Sequence, residues 1–200
     1  MLLSSLLFVL VNALYFSVVQ AIPYDQYILA PPSRILHPIA VYKINGTVTN
    51  AESVTEGNSG TLVFQDESAV SYDYSKNIAG VVSINVTNVS DADQYIGITF
   101  SESSLWISGL YSDATADAGR DEALWFHVTA PGVYTVDAEH ERGGFKYLSL
   151  VHNSTGRVEI SEVTTHFTPI PHYKEDQMRN YTGYFHCNGM SFLAERIGFG

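Results

Sequence analysis

Cysteine is almost missing from this chain: Cys187 stands alone among 200 residues. No internal disulfide can form, so stability has to come from burial. Positive charge is scarce as well, with 10 Lys and Arg against 21 Asp and Glu and a net charge of −11. A chain so acidic repels phosphate, which argues against nucleic acid and anionic membranes as partners. The usual signatures of metal and nucleophile chemistry are absent too. His37, His127, His140, His152, His166, His172 and His186 show no HxH, HExxH or HxxxH spacing, and no GxSxG elbow occurs. No cofactor and no metal are expected. Before Pro171 no stretch carries the period of a long helix.

The amino terminus is unusual for its lack of charge. Residues 1–21 hold no charged side chain, and the apolar run from Leu2 to Val19 ends in Val19-Gln20-Ala21, small residues of the kind a signal peptidase reads. This predicts a secretory signal, although the basic start is missing and the run approaches the ~20 residues that span a bilayer. After cleavage no membrane association is expected. Five sequons agree with export, placing candidate glycans on Asn45, Asn85, Asn88, Asn153 and Asn180. The expected localisation is extracellular.

Past this segment, alternating apolar and polar residues dominate the chain. Val41–Ile44, Thr61–Phe64, Ala69–Tyr74, Val82–Val86, Tyr95–Phe100 and Leu105–Ser108 each predict a short strand, separated by turn residues. Ala123–Thr129 and Gly132–Ala138 predict a hairpin across Ala130-Pro131-Gly132. In ERGGFKYLSL, Glu141 to Leu150, two glycines suggest a turn that delivers a central strand. Alternation there puts Phe145, Tyr147, Ser149 and Val151 on one face and Leu148 and Leu150 on the other. Val158 and Ile160 shift register to Val163, Thr165 and Phe167, as a bulge would produce. The expectation is an all-β fold, a β-sandwich or jelly roll of about ten short strands. The domain plan is a signal over 1–21, the sandwich over 22–170, and a linker with the truncated start of a helical domain over 171–200.

Carboxylates are the serious candidates for chemistry. Glycoside hydrolysis needs a pair held across the scissile bond. Glu139 and Glu141 are expected to share a strand face. Asp113, Asp117, Asp121 and Glu122 crowd one loop, where solvated acids, calcium contacts and sugar contacts are the competing readings. Trp106, Trp125, Tyr111 and Tyr134 would stack on a sugar ring or serve the core. Cys187 beside His186 favours a buried structural thiol over a catalytic pair.

Several stretches together resemble one family. LWISGLYSDATADAGRDEALWFHV (Leu105 to Val128), ERGGFKYLSL, EVTTHFTPIPH (Glu162 to His172) and YTGYFHCN (Tyr181 to Asn188) are similar to the non-catalytic amino-terminal part of fungal secreted α-L-rhamnosidase-like glycoside hydrolases. The resemblance implies a β-sandwich placed before a six-hairpin α/α barrel, the barrel supplying the general acid and base of an inverting mechanism. After Asn188 the sequence departs from the family's helix, so no catalytic residue can be carried over. The implied partners are rhamnose-containing glycans, met through the parent enzyme, and the missing barrel. Trp106, Asp113, Asp117, Asp121, Glu141 and Arg142 are the residues expected to contact carbohydrate or an interface. The alternatives are a free-standing carbohydrate-binding module and a secreted structural glycoprotein.

Overall fold

The computed structural model describes residues 28–113 and 121–180. The expected signal, Asp117, His186, Cys187 and the helical spacing over 191–197 lie outside them. Two compact units divide the chain, Pro31–Met178 being the larger. Of the smaller, residues 28–30 and 179–180 are described. There Arg179 Nη1 donates to the carbonyls of Ile28 (3.3 Å) and Ala30 (2.8 Å).

The larger unit is an antiparallel β-sandwich of eight strands: β1 Ile35–Leu36, β2 Ala40–Thr49, β3 Leu62–Val89, β4 Gln94–Ser101, β5 Leu124–Val128, β6 Gly132–Thr135, β7 Arg142–His152 and β8 Arg157–Phe167. All of them belong to one hydrogen-bonded sheet that curls over itself. The first part of β3 lies between β2 and β7, continuing the layer β2-β3-β7-β4-β5. Its second part lies between β6 and β8, with β1 outside, forming the layer β6-β3-β8-β1. Closure comes from β8: Arg157–Ile160 pairs with Leu62–Gln65, and Val158–Ile160 pairs also with Val86–Val89. Ser75 marks the corner between the layers. It has a φ of 63°, and its N–H donates to Asp73 Oδ1 at 2.6 Å, an Asx turn that lets β3 change direction.

The core follows from alternation. Phe64, Val70, Tyr72, Ile96, Ile98, Leu148 and Leu150 come from one layer and Val82, Ile84, Val86, Val158, Ile160 and Val163 from the other, all buried in one cluster. The shift in β8 is a bulge at Ser161: Asn85 faces Glu162 while Val86 faces Ile160. The extra residue keeps Val158, Ile160, Val163 and Thr165 buried on either side of it.

Several expectations need correction. Thr61–Phe64, Ala69–Tyr74 and Val82–Val86 are stretches of one 28-residue strand, because their turn residues make irregularities and a corner instead of ends. β2 likewise passes through Asn45-Gly46, Gly46 taking a φ of 73° within it. Leu105–Ser108 is no strand; Ser104–Trp106 forms a 3-10 turn, its start held by Ser103 Oγ accepting from the Leu105 N–H. The hairpin over 123–138 does not form, since β5 pairs with β4 and β6 with β3. Gly143-Gly144 is inside β7 and not in a turn; a Cβ on Gly144 would stand 2.7 Å from Glu102 Oε1. β7 is nonetheless central, between β3 and β4. Phe145 faces the core with Tyr74 and Phe100, at the point where β7 pairs irregularly with β3. Among the described residues no helix is long and apolar enough to cross a membrane.

Candidate functional site

β4 and β5 run side by side, with Ile98 opposite Leu124, so Phe100 and Leu124 reach the same end of the sandwich. Two connections border that end, one from β4 to β5 and one from β6 to β7. Between them is a cleft of about 460 Å³ lined by Phe100, Ser112, Glu122, Leu124, Glu139, His140 and Glu141.

Each rim residue is placed by local chemistry. Ser112 Oγ accepts from the Phe100 N–H at 3.0 Å, and the Ser112 N–H donates to the Asp121 carbonyl at 2.6 Å. Tyr111 bridges to Glu122, fixing the far side of the connection. Opposite, Asp137 organises the 3-10 turn Ala138–His140: its Oδ1 accepts from the N–H groups of Glu139 (3.1 Å) and His140 (3.0 Å) and lies 2.7 Å from His140 Nδ1. The His140 ring, with those N–H groups, holds the Asp137 carboxyl below the usual carboxylate range. Glu139 therefore belongs to a turn and does not share a strand face with Glu141, but both point their chemistry at one cleft. Glu141 also borders a second hollow of about 560 Å³, with Arg34, His166, Thr168, Pro169 and Pro171.

The lining has an apolar floor, three carboxylates and one imidazole, with no Lys or Arg among the seven residues. Carboxylates accept hydrogen bonds from hydroxyls, and the floor suits C–H surfaces. Among the described residues no group of three or more His, Cys, Asp and Glu is gathered as metal ligands would be.

Of the other candidates, Asp113 serves its own loop: Oδ2 accepts from Ser101 Oγ and the Glu102 N–H, both at 2.8 Å, and from the Ser103 N–H at 3.4 Å. Asp121 is buried. Arg142 opens β7 opposite Gly80. Leu105, Trp106, Leu110 and Tyr111 are exposed, Trp106 by 67%. Trp125 lies on the outer face of the larger layer and Tyr134 donates to the Ala130 carbonyl at 2.7 Å, so neither joins the cleft. Asn45, Asn88, Asn153 and Asn180 are exposed and Asn85 is half-buried. The sequence-based candidates omitted Asp137, His140 and Ser112. The DxEH spacing from Asp137 to His140 is the signal that was there, an Asx residue ahead of a short turn. The stacked pair Tyr95 and His127, with centroids 4.7 Å apart, left no comparable trace, since only the β4–β5 register brings the rings together.

No protein-family model matches the chain, and no curated protein does. Solved structures are similar to it in fold. A rhamnosidase from Klebsiella oxytoca with rhamnose bound is 15% identical with a TM-score of 0.49, covering 68% of this chain and 29% of that one. The family 32 carbohydrate-binding module of NanJ from C. perfringens, in complex with galactose, is 13% identical with a TM-score of 0.43, covering 68% and 95%. A chain from the complex of reduced XRCC1 with the DNA pol beta catalytic domain is 11% identical with a TM-score of 0.48, covering 68% and 99%. The chain thus spans under a third of the rhamnosidase's length. At these identities the likeness is one of architecture, and any function has to rest on the site itself.

Proposed function

We propose that this sandwich binds carbohydrate in the cleft at the end of β4 and β5. The observation that carries this is the lining: Phe100 and Leu124, with Glu122, Glu139, Glu141, His140 and Ser112 around them. Sugar rings present both C–H faces and hydroxyl donors, and the cleft offers a counterpart to each. Calorimetric titration of the mature protein with neutral oligosaccharides, rhamnose-containing ones first, should give saturable binding. Glu141→Gln and Glu139→Gln should weaken it at least about tenfold, since each replaces a charged acceptor by a neutral one. Silence across neutral sugars overturns the reading.

A finer assignment rests on motif resemblance. The chain is the amino-terminal accessory domain of a secreted α-L-rhamnosidase-like glycoside hydrolase, whose catalytic barrel lies elsewhere. Supporting it, the resembling stretch Leu105 to Val128 supplies Glu122 and Leu124, and Glu141 to Leu150 supplies Glu141 and the central strand. Residues 1–21 direct export, and the five sequons carry glycans. The chain alone does not hydrolyse rhamnosides; turnover of an aryl α-L-rhamnoside, abolished by changing Glu139 or Glu141, would sink this assignment while leaving sugar binding intact.

A further inference from the structure

Asn85 faces outward from β3, opposite Glu162 of β8 and Val133 of β6. Its amide Nδ2 donates to Ser161 Oγ at 3.1 Å, which aims the side chain along the β8 bulge. Beyond Ser161 is a hollow of about 430 Å³, whose lining includes His37, Ser53, Asn58, Ser59, Ser161 and Glu162. Its floor is a built turn: Asn58 Nδ2 donates to Thr55 Oγ1, and Thr55 Oγ1 to the Glu52 carbonyl, both at 2.8 Å. Among the described residues Ser53 Oγ is the one buried side-chain polar atom without a hydrogen-bond partner.

We propose that the first sugar of an N-linked glycan on Asn85 rests in this hollow, ordered against the sheet instead of free in solvent. The inference does not depend on the end cleft or its ligand. It depends on the secretory route proposed above, and its test reports that route directly. In the transfer, Asn85 Nδ2 bonds to the anomeric carbon of a lipid-linked oligosaccharide pyrophosphate. The bond from that carbon to the pyrophosphate oxygen breaks, an amide proton is lost, and the lipid pyrophosphate leaves. One N–H remains on Nδ2, enough to keep the bond to Ser161. The attached acetamido sugar brings donors and acceptors to a lining of hydroxyls, an amide, an imidazole and a carboxylate.

The full chain, produced in a eukaryotic secretory host, would be mapped by glycopeptide mass spectrometry. It would then be treated, still folded, with an endoglycosidase that cuts between the first two sugars. The expected result is an occupied Asn85 whose glycan is cut about tenfold more slowly than that of exposed Asn153, the protection that one or two hydrogen bonds would give. Asn58→Ala and Ser53→Ala should bring the two rates together. If a variant misfolds, hydrogen exchange over residues 53–60 decides, being slower in the wild-type glycoprotein than in Asn85→Gln. An empty Asn85, an absence of glycans altogether, or equal cutting at Asn85 and Asn153 overturns the proposal.

Discussion

The indole of Trp125 lies directly over Gly97. The two residues are opposite each other in β4 and β5, and a Cβ on Gly97 would stand 2.7 Å from Cζ3 and 2.8 Å from Cη2 of the indole. The glycine makes room for a ring that is 41% exposed on its other side. Gly97→Ala should lift the indole off the sheet and shift its emission to the red. Because a half-exposed ring can swing away, the stability loss should be about 1 kcal/mol, at the low end for overpacking. Fluorescence with urea denaturation checks both; unchanged emission would mean the ring does not sit there.

Arg34 gathers the chain that leaves β8. Its guanidinium donates to the carbonyls of Phe167 (2.8 Å), Pro169 (3.3 Å), Ile170 (3.0 Å) and Tyr173 (2.7 Å), around a bend where Ile170 has a φ of 53°. A lysine cannot match that fork. Arg34→Ala should cost about 2–3 kcal/mol and Arg34→Lys should recover less than half of it. Denaturant midpoints and hydrogen exchange over 167–173 read the effect.

Glu175 makes the same segment acid-sensitive. Ser33 Oγ donates to its Oε1 at 2.6 Å and the Arg34 N–H at 3.1 Å. The hydroxyl first, then that N–H and the Arg34 charge, hold its carboxyl below the ordinary glutamate value. A lowered folded value means that the contribution is in place above the unfolded pKa of about 4.3 and is lost as pH falls through the folded one. The amide signals of Ser33 to Ile35 should therefore move together as the pH falls below the unfolded value of about 4.3, and Glu175→Gln should abolish that step.

Asp137 touches the cleft only through the turn it organises. Asp137→Ala removes the acceptor for two N–H groups and for His140, so the turn loses its organising side chain. Sugar affinity should fall although no contact is deleted, whereas Asp137→Asn, which keeps an acceptor oxygen, should restore most of it. Parallel titrations of the two variants discriminate placement from direct contact.

Sequence carried the strand faces well where alternation was clean. Val82, Ile84 and Val86, Ile96, Ile98 and Phe100, and Leu148 and Leu150 are buried as the period demands, and the β8 bulge was visible as a phase shift. Strand ends were less legible, because Ser75 and Gly46 use positive φ to bend a strand that composition alone would stop. Pairing partners were not legible: Ala130-Pro131-Gly132 has the chemistry of a hairpin turn, yet the chain crosses there between layers. For the cleft, Glu122, Glu139 and Glu141 were weighed as acids, while the role of Asp113 as a loop acceptor depends on backbone N–H groups that no spacing reveals.

β3 also sets a schedule for biosynthesis. All of its partners other than β2 are made later: β6 follows at Gly132, β7 at Arg142 and β8 only at Arg157. A nascent chain therefore holds a 28-residue strand with an open edge until the ribosome has passed Phe167. Such non-local pairing is slow to form and leaves unpaired strand exposed to other chains. Chaperone contact during translation should concentrate on Leu62 to Val89 and end when β8 emerges.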